Sequence, residues 1–240
     1  MLILAFDTTS EEGGVGIFRD TECLALVPND GQANQYSITL FEMVEKALAK
    51  ACLKLPDIDL YAVANGPGSF TGIRVGLAAA LAWGKVFDRP VRGVSVLEAM
   101  VSNARITSDW AFPIMDARRG EFFLASFRRK PSELPGETRQ GYEAGDGGWL
   151  FKPESLRAFV EERLTSGVSA TCLVREHDRA AVDLRANFPT SMNWQHVQGI
   201  LVESIAGLAR NEEQSHRPCP DAKLDAYYLR RPDAEINRKD

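Results

Sequence analysis

The residues whose types and spacing could do chemistry gather in one string, Asn65-Gly66-Pro67-Gly68-Ser69-Phe70-Thr71-Gly72-Ile73-Arg74-Val75-Gly76. Gly68 supplies backbone freedom, and Ser69 is placed as an N-cap whose hydroxyl accepts from the first turn of a helix. Two readings stand side by side. One is a well-made strand-to-helix turn. The other is an anion site, because unpaired N–H groups and the macrodipole at an exposed helix N-terminus favour negative charge. The spacing is neither the Walker lysine loop nor the dinucleotide glycine fingerprint. It is not a G-x-S-x-G nucleophile elbow either, since Pro67 and Thr71 stand two residues to either side of Ser69. No base is identifiable that would activate Ser69.

Other reactive side chains are sparse. Cys23, Cys52, Cys172 and Cys219 form no CxxC pair, so neither a zinc site nor a disulfide framework is expected, and a reducing cytoplasm fits. His177, His196 and His216 are the three histidines, all in the second half. A closed metal site needs several ligands from a small region, so no metal is expected.

The elements that must position these residues follow from periodicity. Leu2 to Phe6 is a continuously apolar run ending at Asp7-Thr8-Thr9-Ser10; Val15 to Phe18 follows beyond Gly13-Gly14, and Cys23 to Val27 is a third strand. From Tyr36 to Leu55, Ile38, Phe41, Val44, Leu48, Ala51 and Leu55 recur at amphipathic helix spacing. Leu60 to Ala64 is a buried-type strand and Phe70 to Phe87 a helix. Val91 to Val94 is a strand, and Ser95 is a candidate N-cap for a helix over Leu97 to Ala104.

Phe112 to Asp116, the turn Ala117-Arg118-Arg119-Gly120 and the return Glu121 to Phe127 echo residues 1 to 18, which suggests an internal duplication. Lys130 to Gly148 is rich in Pro, Gly and Glu and is expected to be an irregular excursion. Helices are expected over Pro153 to Leu164 and Val197 to Arg210, with a strand at Ala170 to Val174 and a final strand or docking segment at Ala226 to Leu229.

Gly72, Gly76, Ala80 and Gly84 recur every four residues and draw a small-residue stripe along one side of the second helix. Such a stripe either lies tightly on its own sheet or receives a helix from another chain. The second reading assigns an interface to Ile38, Phe41, Val44, Leu48, Gly72, Arg74, Gly76, Ala80 and Gly84. It predicts that a bulky residue at Gly76 or Ala80 weakens pairing far more than folding.

Composition narrows the class. Over 240 residues, 45% hydrophobic and 25% charged residues describe an ordinary globular chain. A net charge of -5 speaks against a main surface that grips phosphates, which takes a basic excess. The apolar start is short and lacks a basic flank or a cleavage site, and no uninterrupted apolar run reaches the roughly 20 residues of a membrane span. A cytoplasmic, unexported protein is expected.

The string GPGSFTGIRVG at Gly66 to Gly76, the start LILAFDTTS and the hairpin DARRGEFF at Asp116 to Phe123 together resemble the TsaB (YeaZ) family. The likeness covers Met1 to about Phe127, and the second half resembles the family in layout and in the short Tyr227-Tyr228-Leu229-Arg230. The resemblance implies a duplicated actin/hexokinase-like (ASKHA) α/β fold of two lobes, 1–108 and a smaller 109–240, each with a mixed sheet flanked by helices. In that superfamily the aspartate-ended hairpin helps hold a nucleotide's phosphates and magnesium, which makes Asp7, Thr8, Thr9 and Asp116 the weak candidates for a cofactor site. Glu11 and Glu12 place negative charge where a polyphosphate would lie, so no cofactor is expected.

The resemblance further implies a non-catalytic subunit. Its partner would be TsaD, which transfers a threonylcarbamoyl group to the adenosine next to the anticodon of certain tRNAs, and TsaE would bind the assembled pair. The contact would use helices of the first lobe, the isolated chain would self-pair, and tRNA would be touched only indirectly. Competing readings are an actin-fold small-molecule kinase or ATPase, a metalloprotease, and a homodimer unrelated to tRNA. The metalloprotease lacks metal ligands: the TsaD-type histidine pair has no counterpart between Tyr36 and Leu55.

Overall fold

A computed structural model describes residues 1–29, 36–130, 141–145, 149–164, 167–189, 192–197 and 199–215. Its contacts divide into two compact units, 1–99 with 199–240 and 100–198.

In the first unit, strands β1 (Leu2–Asp7), β2 (Gly14–Arg19) and β3 (Glu22–Pro28) are followed by helix α1 (Tyr36–Ala51), β4 (Leu60–Gly66), α2 (Phe70–Phe87) and β5 (Val91–Ser95). The sheet order is β3-β2-β1-β4-β5; β1 runs antiparallel to β2 and parallel to β4, and β4 is parallel to β5. A central strand covered on both faces must be apolar throughout, and β4 is buried at every position. Leu4, Phe6, Tyr61 and Val63 share a core with the inner sides of α1 and α2. Their alternate neighbours Ile3, Ala5, Leu60 and Ala62 are equally inaccessible, so the opposite face of the sheet is covered as well.

Helix α1 buries Tyr36, Leu40, Met43, Val44, Ala47 and Leu48. It stops at Ala51, short of the Leu55 expected from spacing, because Cys52 turns left-handed at φ 55°. Helix α2 has the bounds that the sequence predicts. Ser69 caps it by accepting from the Gly72 amide, and Asp88 ends it in the left-handed region. Ser95 is the last residue of β5, and helix α3 (Val96–Asn103) follows it directly.

The second unit contains β6 (Trp110–Asp116), β7 (Phe122–Leu124), β8 (Phe127–Arg129), β9 (Tyr142–Ala144), β10 (Trp149–Phe151), α4 (Pro153–Arg163), β11 (Ala170–Arg175), α5 (Arg179–Asp183) and β12 (Asn193–Val197). Its sheet order is β10-β7-β6-β11-β12, with antiparallel pairs up to β6 and parallel pairs beyond. Position by position this repeats the first sheet, and the expected duplication is present. The expected single return strand over Glu121 to Phe127 is broken: β7 pairs with one part of β6 and β8 with another. The expected irregular stretch is irregular only in part, because β9 falls within it and pairs with β8; 131–140 and 146–148 lie outside the described residues, as does 226–230.

Two expectations fail together. The helix expected over Val197 to Arg210 is α6 (Val202–Gln214), with Val197 still in β12. The boundary at 108/109 also does not divide the chain, because α6 packs on β1, β2, β4 and β5 of the first unit. Val202, Ile205, Ala206 and Ala209 are its buried side. Glu213 pairs at 2.6 Å with the nearly buried Arg92 of β5. Apolar surface on the far side of the first sheet had to be covered, and a helix from beyond the second unit covers it.

Candidate functional site

The string at 65–76 and the turn after Asp7 form one structure. Asp7 and Thr8 are fully buried and Thr9 is 2% exposed. The Asp7 carboxylate accepts from the Thr9 amide at 2.8 Å and from its hydroxyl at 2.6 Å. The Thr8 hydroxyl donates to the Gly72 carbonyl at 2.7 Å, and the Ser69 amide donates to the Thr9 carbonyl at 2.7 Å. Ser69 thus caps α2 through the Gly72 amide and ties the helix start to Thr9, and of its two readings the structural joint describes this bonding. A Cβ at Gly68 would stand 2.5 Å from the Thr9 carbonyl, and φ there is +156°, so this turn requires glycine.

Asp116 is placed differently. It is exposed; its carboxylate accepts from the Arg118 amide at 2.7 Å, and its own amide donates to the Asp178 carboxylate at 2.7 Å. Asp178 also caps α5 through the Ala181 amide. Burial raises the Asp178 carboxyl above the usual carboxylate range, against the pull of those amide donors. Arg118, Arg119 and Gly120 follow in succession at positive φ.

The small-residue stripe is sealed beneath its own strands, which corrects the reading of it as a ridge for another chain. Gly72, Gly76, Ala80 and Gly84 are all buried. Side chains added at Gly72 and Gly76 would meet Thr8 and one at Gly84 would meet Val91, the second Gly76 neighbour being Val63. Val44 and Leu48 also leave the expected interface, at 2% and 8% exposure, because they face the core. Ile38, Phe41 and Arg74 remain exposed, Ile38 at 65% and Phe41 at 52%.

The sequence reading missed Leu81 and Val86, exposed at 43% and 72%. Their signal was available as the apolar positions of α2 that the four-residue repeat does not include. The exposed surface rests on a rigid base: Phe41 meets Trp83 edge-on at 5.8 Å, and Trp83 in turn meets Phe6 and Tyr61. The Arg74 guanidinium lies 3.7 Å above the Phe70 ring.

Helix α2 is long and apolar enough to raise the question of a membrane span. Its buried side packs on β4 and β5, which is how a core helix passes the same test. Among the described residues no group of His, Cys, Asp and Glu is arranged to hold a metal ion.

Two sheets of the same order, each opened by an aspartate-ended hairpin and continued by parallel crossovers, define the duplicated actin/hexokinase-like class. Residues 26–140 match the family model for TsaD, tRNA N6-adenosine threonylcarbamoyltransferase. The TsaB tRNA threonylcarbamoyladenosine biosynthesis protein of Bacillus subtilis is 34% identical over 132 residues, which are 54% of this chain and 56% of that protein. The Escherichia coli TsaB protein is 32% identical over 134 residues, 54% and 56% of the two chains. YeaZ from Pseudomonas aeruginosa shares the fold with a TM-score of 0.69 at 19% identity, over 95% of this chain and 99% of that one. The chain is thus similar to TsaB proteins by sequence over about its first half, and it shares its fold with YeaZ over nearly its whole length. The matched part spans little more than half the length of those curated relatives.

Proposed function

We propose that this chain is a non-catalytic subunit in the synthesis of threonylcarbamoyladenosine on tRNA. It pairs through the outer faces of α1 and α2 with a TsaD-type transferase, and through that pair with TsaE, in the cytoplasm. The observation that carries the reading is the exposure of Ile38, Phe41 and Leu81 on two adjacent helices braced from below by Trp83. Large apolar side chains standing in water on a rigid base are what an interface centre is made of. The first-half likeness to TsaB proteins supplies the process. The chain's own Asp7 turn, closed by Gly68 and Gly72, supports leaving the chemistry to the partner. The same apolar surface serves for self-pairing when the partner is absent.

The test is a calorimetric titration of the chain into a purified TsaD-type partner. Phe41→Glu should weaken the affinity by about thirty-fold or more, as expected when a central aromatic anchor is replaced by a charge. Its circular dichroism and unfolding midpoint should stay near the parent's. An affinity unchanged by both Phe41→Glu and Ile38→Glu removes this face from the function.

A further inference from the structure

Trp83, on the buried side of α2, meets aromatic rings from three other elements. Phe6 of β1 lies 5.8 Å away at 79°, and Tyr61 of β4 lies 5.9 Å away at 37°. Both are fully buried in the middle of the first sheet, where β1 and β4 are neighbours. The Tyr61 ring is anchored at its far end, its hydroxyl donating to the Leu55 carbonyl at 3.1 Å. In a close-packed interior the indole cannot shift without moving those strands.

The third ring is Phe41 of α1, 5.8 Å away at 83°. This contact differs in character, because Phe41 is 52% exposed. A phenylalanine on a helix can lean in two χ1 directions, and a half-exposed ring with nothing firm beside it divides its time between them. Nearly perpendicular contact with a fixed indole favours one direction over the other.

Order of that kind matters at an interface. A side chain held in its docking orientation beforehand loses less freedom when the partner arrives, so the same contact gives a higher affinity. Trp83 itself, at 8% exposure, offers a partner almost no surface.

We propose that Trp83 is a positioning residue for pairing: without reaching the partner, it holds the Phe41 ring in the orientation that docks. The proposal rests on the reading of α1 and α2 as the pairing face, and adds that the affinity of this face is set from beneath it.

A double-mutant cycle tests it, read by calorimetric titration of the full chain into a purified TsaD-type partner. Trp83→Leu removes the supporting ring and keeps an apolar side chain, whereas Trp83→Phe keeps a ring. Trp83→Leu should weaken pairing about ten-fold, and Trp83→Phe should stay within about three-fold of the parent. In a Phe41→Ala background, Trp83→Leu should change the affinity less than about two-fold, because no ring is left to position. Circular dichroism and urea unfolding give the folded fraction of each variant. Trp83→Met, which fills more of the space without a ring, takes the place of Trp83→Leu if the latter does not fold. Equal losses with and without the Phe41 ring, or no loss on Trp83→Leu while Phe41→Ala weakens pairing, overturn the proposal and leave the pairing face standing. So does a loss with Trp83→Phe as large as that with Trp83→Leu. An affinity unchanged by Phe41→Ala removes the face itself, and the proposal with it.

Discussion

At Gly72 a single methyl group would overlap the carbonyl oxygen of Thr8, a backbone atom that the Asp7 turn holds in place. Overpacking against backbone costs more than overpacking against a side chain that can swing away, so Gly72→Ala should destabilise the chain by about 3 kcal/mol or more. Gly207 in α6 makes the contrast: nothing lies within 4 Å of its added Cβ, and Gly207→Ala should stabilise by about 0.5–1 kcal/mol through helix propensity alone. Urea unfolding of the two variants reads both, and a similar loss at each would undo the packing account. A second residue-scale expectation concerns Asp109, whose carboxyl is held below its usual range chiefly by the Ser169 amide, then by the Ser169 hydroxyl. A carboxylate lowered by folding contributes stability above its unfolded pKa and loses it as the pH falls through its folded pKa. The urea midpoint of Asp109→Asn should therefore lie below the parent's at neutral pH, and the gap should close in acid. A gap that persists below the folded pKa would show that the ionised form is not what matters. The sequence told that glycines 72, 76 and 84 were needed, but spacing alone does not say against what. A stripe that admits a partner helix and one that admits a strand have the same period.

On the scale of elements, most of the fold was legible wherever an apolar period ran long enough to have one meaning. The bounds of α2, the order of the first hairpin and the echo around Asp116 all came from residues whose neighbours in sequence are also neighbours in the sheet. What escaped was decided at a distance. Strand β12 is an edge strand of Asn, Trp, Gln, His and Val with little alternation to detect, and it exists because β11 offers a parallel partner. Helix α6 shows a clear amphipathic pattern, yet the pattern is silent about which sheet it covers. Its place on the first unit yields a prediction. Ile205 is fully buried, and Ile205→Ala should cost about 2–4 kcal/mol. Native-state hydrogen exchange should report that loss in β1 and β4 while leaving β6 and β11 protected, because α6 packs on β1, β2, β4 and β5. Equal loss of protection in both sheets would mean that α6 serves the second unit as much as the first.

For the whole molecule, mass action separates a chain that contributes chemistry from one that contributes only a surface. A subunit that acts by docking supplies stability to a complex, and weakening its contact by some factor is offset by raising its concentration by the same factor. A subunit that supplies a reacting group offers no such rescue. Reconstitution of tRNA modification from purified components, read as threonylcarbamoyladenosine by mass spectrometry of digested tRNA, applies this directly. The chain alone should give no product, and adding it to the transferase components should give product that saturates with its concentration. With Phe41→Glu the curve should move to about thirty-fold higher concentration or more and reach the same plateau. Substitutions at the Asp116 turn, such as Arg118→Gly, should leave both midpoint and plateau in place, since that turn is remote in sequence from α1 and α2 and has exposed side chains. A lowered plateau with Phe41→Glu at saturating concentration would show that this face does more than hold the partner, and product from the chain by itself would place the chemistry here after all.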